Sequence, residues 1–309
     1  VESPSVQAWL DAAARLPSIE PRTIYVVKGG GGAATAEAYA SLGESEKANY
    51  TESTLDERFY YLTRYGTPIA YARALDLAVG AENRAAPDQL SRWRILDFGY
   101  GGIGHLRMLA SIGADAVGVE VDPMLQALYS RPGDTGAIEN PTSRRRGSEG
   151  KLTLVHGRWP ADAGAAAQVG GGYDLIISKN VLKRGYIHPE QEVDKRMLVD
   201  LGVDDETFLR ALFGALKPGG RALIYNLSPK PAAEGQPYRP WADGRCPFDR
   251  AALEKAGFRV IEFEKDDSEA ARRMGSLIGW DRGDRPMDLQ HDLFAQYTLL
   301  ERPMRARSN

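Results

Sequence analysis

The sequence predicts an α/β protein with a doubly wound, mostly parallel sheet behind a mostly helical front section. Three observations carry this. From Trp93 onward, short β-branched and apolar runs alternate with helical stretches, the pattern of a parallel sheet covered by helices on both faces. The first of these runs leads into clustered glycines that open a helix. Before residue 88 the apolar spacing is chiefly that of helices.

The front section begins with Ser5 to Leu16, where Val6, Trp9, Leu10, Ala13 and Leu16 share one helical face. Thr23 to Val27 is a short β-branched run ending at Lys28 and the glycines Gly29 to Gly32. Those glycines read as a turn, with an anion cradle of backbone N–H groups as the alternative. Glu57 to Tyr65 is aromatic-rich and predicted helical. Tyr60, Tyr61, Arg64 and Tyr65 are candidates for a lid or substrate wall, against the plainer reading as core. Thr67 can cap a new helix over 68–79, with Pro68 at the first position, where its missing N–H goes unneeded. Polar residues from Gly80 to Arg92 mark a junction. The expected division is a front section 1–88, a sheet domain 89–303 and a tail 304–309.

The predicted strands are Arg94–Asp97, Ala116–Glu120, Leu152–His156, Leu175–Ser178, Arg221–Tyr225, Val260–Glu264 and Phe294–Leu300. Predicted helices lie at 104–112, 123–129, 206–216 and 249–256. A polar insertion at 130–150 carries Arg144, Arg145 and Arg146, read as a solvated loop, with contact to an anionic substrate as the alternative.

Composition narrows the function. A formal net charge of −3 lacks the basic excess of a general nucleic-acid binder. Cys246 is the sole cysteine, so neither an internal disulfide nor a cysteine-based zinc cluster can form. His105, His156, His188 and His291 are scattered, and no metal site is predicted. No run approaches the ~20 apolar residues of a membrane helix. The sequence starts at Val1 rather than Met, which is read as removal of something before it, by a processing enzyme or by truncation, with an export signal as one alternative.

The segment ILDFGYGGIGHL places Asp97 at a strand end and Gly99, Tyr100, Gly101 and Gly104 before a helix. Glycine there permits a tight turn with φ > 0 and close approach of a ligand to the backbone at a positive helix N-terminus. The next strand, VGVEVDP, ends at Glu120 and Val121, where an acid can accept hydrogen bonds from both hydroxyls of an adenosine ribose.

Two families share these features. GGIGHLRMLASIGADAVGVEVD resembles the nucleotide half of zinc-type medium-chain alcohol dehydrogenases. The wider ILDFGYGGIG…VGVEVDP resembles motif I and its acidic partner in class I S-adenosylmethionine-dependent methyltransferases. A dehydrogenase of that type would carry a longer β-rich domain in front, with cysteine and histidine zinc ligands. Asp97, two residues before Gly99, suits a cofactor with a cationic amino group and a sulfonium, and would repel a pyrophosphate. YDLIISKNVL, LKPGGRALIYN, and FDRAALEKAGFRVIEFE followed by FAQYTLLERP extend the methyltransferase resemblance over about residues 89–303.

The resemblance implies a Rossmann-like, seven-stranded sheet with a reversed last strand, and S-adenosylmethionine as cofactor. It places Asp97, Gly99, Tyr100, Gly101, Gly104, Glu120 and Val121 around the cofactor, with Ser178 at the end of the fourth strand. Two departures stand out. Ile103 occupies the usual place of a third glycine, and Arg158 stands where an adenine-binding acid is common. Guanidinium has no acceptor, so a backbone carbonyl would have to serve, with Trp159 packing on the adenine or in the core.

The resemblance also puts the acceptor over the end of the fourth strand. His188 is the candidate base there, as the residue type that exchanges protons near neutral pH; the alternative is a loop histidine bonded to backbone. Tyr186 is a candidate to orient the substrate. Lys179, Lys183 and Arg184 form a basic cluster near the mouth, which points to an acidic or phosphate-bearing acceptor, with solvated charges as the alternative; Lys183 is a candidate substrate ligand. SKNV replaces the Asn/Asp-Pro-Pro-aromatic motif of nucleic-acid amino methyltransferases, and Cys246-Pro247 reverses the Pro-Cys order of cytosine-C5 enzymes. The expected function is methyl transfer to a small-molecule or peptidic acceptor, in the cytoplasm. No nucleic-acid or membrane partner is expected. The alternatives are an NAD(P)-dependent oxidoreductase and a non-catalytic S-adenosylmethionine-binding module.

Overall fold

A computed structural model describes residues 1–62, 67–80, 88–141, 149–232 and 235–304. Arg64, Tyr65 and the arginines at 144–146 fall outside the described residues.

Three strands lie in the front section: β1 (Arg22–Val27), β2 (Ala33–Thr35) and β3 (Tyr50–Leu55). Eight follow: β4 (Arg94–Phe98), β5 (Asp115–Glu120), β6 (Gly136–Ile138), β7 (Gly150–His156), β8 (Tyr173–Lys179), β9 (Leu216–Ser228), β10 (Arg259–Asp266) and β11 (Phe294–Glu301). The second group forms one sheet in the order β10-β11-β9-β8-β4-β5-β7-β6. β4 pairs in parallel with both β5 and β8. β11 runs antiparallel between β9 and β10, so the chain closes the sheet with the reversed strand expected of it. All seven predicted strands are present, six within two residues of their predicted ends and β9 longer, starting five residues earlier at Leu216; β6, a three-residue antiparallel edge on β7, is not among the predicted strands.

Residues 95–98 of β4 are buried because helices cover both faces, which is why that strand reads as an unbroken apolar run. The covering helices start where the chemistry permits. Asp122 accepts from the Met124 N–H ahead of Pro123–Leu128. Asp204 accepts from the Thr207 N–H ahead of Asp205–Ala215. Two apolar clusters result, one on each face of the sheet.

The front section is less helical than its apolar spacing predicts. β1, β2 and β3 form an antiparallel sheet in the order β2-β1-β3. Gly29, Gly30 and Gly31 adopt positive φ and turn β1 into β2, so the turn reading of those glycines holds. β3 (YTESTL) is mostly polar and half-exposed, so it carries no alternation to read. Helices Pro4–Asp11 and Ala72–Val79 are present, but Pro68–Tyr71 forms a 3₁₀ turn and the Thr67 side chain does not cap it.

These front elements pack directly on the sheet. Val6, Trp9, Ile24 and Leu75 share one apolar cluster with Ile95 and Leu106. Trp9 Nε1 donates to the His105 carbonyl at 3.2 Å. Arg22 pairs with buried Asp134 through two bonds of 2.6 and 2.7 Å, and Tyr60 donates to the same carboxylate at 2.8 Å. The front is thereby tied to the insertion that follows β5. Among the described residues no helix is long and apolar enough to cross a membrane.

Candidate cofactor and acceptor cavity

In open α/β sheets, ligands settle outside the carboxyl ends of the strands, where the chain order reverses. Here the reversal lies at β4, whose neighbours β5 and β8 wind in opposite directions along the sheet. A cavity of about 840 Å³ opens at that point. Its walls come from the β4 turn, the ends of β5 and β8, the segment after β7, and Tyr61, Thr67, Pro68 and Tyr71 of the front section.

The β4 turn is built to bring backbone close to a ligand. Gly99 and Gly101 have φ of 73° and 60°, the left-handed region that a side chain disfavours. A Cβ on Gly99 would also lie 2.5 Å from a Val181 methyl. Both glycines line the cavity, as do Tyr100 and Gly102. Gly104 does not. A Cβ there would meet the Pro68 ring at 2.8 Å and the Tyr61 carbonyl at 2.9 Å. The absence of a side chain at Gly104 lets the front section seat against the helix start, so its expected cofactor contact is replaced by a packing role.

Glu120 ends β5 and faces the cavity. Its carboxylate accepts from the N–H groups of Gly101 (3.3 Å), Val121 (2.7 Å) and Asp122 (3.3 Å). Burial pushes its pKa up, and those N–H donors oppose the shift. Val121 is half-exposed and lines the rim.

Asp97 is fully buried and lies beneath the cavity rather than in its wall. Its Oδ2 accepts from the Tyr71 hydroxyl at 2.9 Å and lies 2.5 Å from His105 Nε2, which must be the donor to an ionised carboxylate. Tyr71 and His105 stack with ring centroids 3.7 Å apart, and both line the cavity. Asp97 Oδ1 is buried with no hydrogen-bond partner among the described residues. Neither Tyr71 nor His105 stood out in the sequence. Tyr71 sits in an apolar helical run that reads as core, and His105 looks like an isolated helix residue.

Beyond β7, Gly157, Arg158 and Trp159 line the cavity. The Arg158 guanidinium pairs with Asp200 at 3.2 Å and Asp162 at 3.5 Å. Trp159 is buried edge-to-face against Phe98 and Phe208, so it serves the core and the wall together.

The acceptor-side expectations are divided. Lys183 and Tyr186 line the cavity, joined by Lys179 and Asn180. Asn180 has φ of 67° and its Oδ1 accepts from the Leu227 N–H at 2.7 Å, which pins the turn after β8 to β9. Burial raises the Tyr186 phenol pKa, which keeps it a hydrogen-bond donor. Ser178 is buried away from the cavity, its Oγ accepting from the Leu182 N–H at 3.2 Å. His188 lies outside the cavity wall: its exposed ring bonds Asp205 through Nε2 at 2.9 Å, the helix Arg184–Ile187 having carried it past the mouth. Arg184 is also absent from the cavity wall; its half-buried guanidinium lies 3.9 Å from Asp249. From the front section, Tyr61, Thr67 and Pro68 join the wall. No group of residues suited to hold a metal ion occurs among the described residues.

No family model and no curated protein matches the sequence. Solved structures do show likeness. Phospholethanolamine N-methyltransferase 2 of Haemonchus contortus, solved with phosphomonomethylethanolamine and S-adenosylhomocysteine, is 12% identical at a TM-score of 0.42, covering 98% of this chain and 75% of that one. An S-adenosylmethionine-dependent methyltransferase of Mesorhizobium loti is 18% identical at 0.39, covering 75% and 98%. The [4+2]-cyclase SpnF is 15% identical at 0.38, covering 72% and 82%. The first two are described as methyltransferases and the last as a cyclase.

Proposed function

We propose that the protein binds S-adenosylmethionine in this cavity and transfers its methyl group to a small-molecule or peptidic acceptor. The observation that carries the reading is the charge around the glycine turn. A buried carboxylate with one unpartnered oxygen, Asp97, lies under it, and a second carboxylate, Glu120, closes the neighbouring strand. A pyrophosphate would be repelled there, whereas an amino group and a sulfonium are attracted. The reversed β11 also separates this sheet from the mostly parallel dinucleotide fold of the oxidoreductase alternative.

When bound, the cofactor supplies an electrophilic methyl group on sulfur. The chain's own residues hold and exclude. Gly99 and Gly101 admit the ligand to the backbone. Glu120, held by its backbone donors, accepts from the ribose hydroxyls on its remaining lone pairs, and its raised pKa reflects a carboxylate short of water. Trp159 offers its face to the adenine. Tyr61, Thr67, Pro68 and Tyr71 cover the acceptor side, in keeping with a front section 1–88 that serves the acceptor. Methyl transfer needs donor and acceptor aligned with water kept out, so positioning by these walls supplies much of the rate. Tyr186 donates a hydrogen bond that orients the acceptor.

The test is single-turnover transfer of labelled methyl from S-adenosylmethionine to small-molecule and peptidic acceptors. The label should appear in an acceptor. Tight cofactor binding without transfer to any acceptor would overturn catalysis in favour of a binding module.

A further inference from the structure

The cavity holds two buried lysines that the cofactor reading leaves unused. Lys179 ends β8 and is 7% exposed; Lys183 follows four residues on and is 4% exposed. Both line the cavity. Neither has an ion-pair partner among the described residues. The nearby carboxylates are engaged elsewhere. Asp97 Oδ2 takes Tyr71 and His105. Asp243 takes Arg245 at 2.8 and 2.7 Å and Tyr238 at 3.1 Å.

Each ammonium is held in place without being neutralised. Lys179 Nζ lies 5.0 Å from the Tyr71 ring centroid. It makes no hydrogen bond among the described residues, so its donors face the cavity. Lys183 Nζ lies 5.5 Å from the Tyr186 ring centroid and donates to the carbonyls of Leu227 (2.6 Å) and Trp241 (3.4 Å). An ammonium has three N–H groups, so one remains. Each lysine has only a more distant carboxylate, Asp97 for Lys179 and Asp243 for Lys183, and no ion pair in contact among the described residues. The two hold their charge at a cost that a bound anion would relieve. Burial lowers Lys179 to about 8 against the opposing pull of Asp97, and lowers Lys183 to about 7, helped by Lys179 and opposed by Asp243.

We infer that the methyl acceptor is an anionic small molecule whose carboxylate or phosphate group sits between Lys179 and Lys183. This rests on the methyl-transfer reading. The anion would supply the contact counter-charge that Asp97 and Asp243, engaged with other donors, do not, and Tyr71 and Tyr186 would flank it. The sequence cluster of Lys179, Lys183 and Arg184 is thereby narrowed to its first two members, because Arg184 does not line the cavity.

The carboxylate of the cofactor itself is the rival source of the same chemistry, and one set of titrations separates the two. Wild type, Lys179→Gln and Lys183→Gln are titrated by calorimetry with inorganic phosphate, alone and saturated with S-adenosylhomocysteine. Wild type should bind phosphate in both states. Each variant should weaken that binding at least tenfold while changing S-adenosylhomocysteine affinity less than twofold. Lys179→Arg and Lys183→Arg keep the charge, should retain phosphate binding, and serve if a glutamine variant does not fold. Unchanged phosphate affinity in both glutamine variants would overturn the site. Loss of S-adenosylhomocysteine affinity with intact binding of 5′-methylthioadenosine, which lacks the amino-acid part, would assign the lysines to the cofactor and overturn the acceptor assignment. Phosphate binding that depends on the lysines, with no S-adenosylhomocysteine binding at all, would support the anion site and sink the cofactor reading alone.

Discussion

Glu120 and Lys183 show how single residues here are held away from their ordinary chemistry. Glu120 is ringed by three backbone N–H groups, so it is aimed before any ligand arrives. Replacing it by alanine should weaken S-adenosylhomocysteine binding by roughly tenfold to a hundredfold, the range for a hydrogen-bonded charged group, with little change in melting temperature. An unchanged affinity in calorimetry would remove Glu120 from the site. Lys183 carries a stability signature instead. Its folded-state pKa of about 7 lies below that of a free lysine, because burial and Lys179 oppose its charge while Asp243 favours it. Between that value and the unfolded pKa the unfolded chain binds more protons, so the lysine's penalty is full below pH 7 and fades as pH rises. Denaturant melts of wild type and Lys183→Met should therefore show wild type gaining on the variant between pH 6 and pH 9. A gap independent of pH would mean the lysine is charged throughout.

At the scale of elements, the glycine turn and the front section form one joint. Gly104 has Pro68 and the Tyr61 carbonyl inside the space a Cβ would need. Gly104→Ala should destabilise the protein by about 1–3 kcal/mol, the usual cost of overpacking, read as a lower melting temperature. An unaffected melting temperature would show that the front section yields freely. The same joint explains what the sequence could reveal. The strands β4, β5, β7, β8 and β11 are apolar because covering layers bury them, and burial leaves a pattern. β3 packs little and is polar, so it left none. The helices Ala163–Val169 and Ser268–Leu277 were also missed: the first is nearly all small residues, and the second is rich in charge. Within the site, Gly99, Gly101, Glu120 and Lys183 were legible, because turn geometry and strand order locate them. Tyr71 and His105 were not, because their meeting at Asp97 joins residues far apart in the chain. His188 was misplaced because a short helix after β8 carries it past the mouth, a rotation that residue order does not record.

For the whole molecule, one apolar cluster runs from the first helix through the sheet, and the front section closes the cavity as part of the same body. The cavity gathers charge of both signs. Glu120 ends β5 in its wall with Asp97 buried beneath the glycine turn, and Lys179 at the end of β8 and Lys183 four residues on line the same cavity. The carboxylates suit a cationic cofactor and the lysines an anionic acceptor. The measurement that bears most directly on this is a calorimetric titration of the wild-type protein with S-adenosylhomocysteine, set beside NADH under the same conditions. S-adenosylhomocysteine should bind at one site per chain and NADH should give no heat of binding. NADH binding in place of S-adenosylhomocysteine would contradict the account.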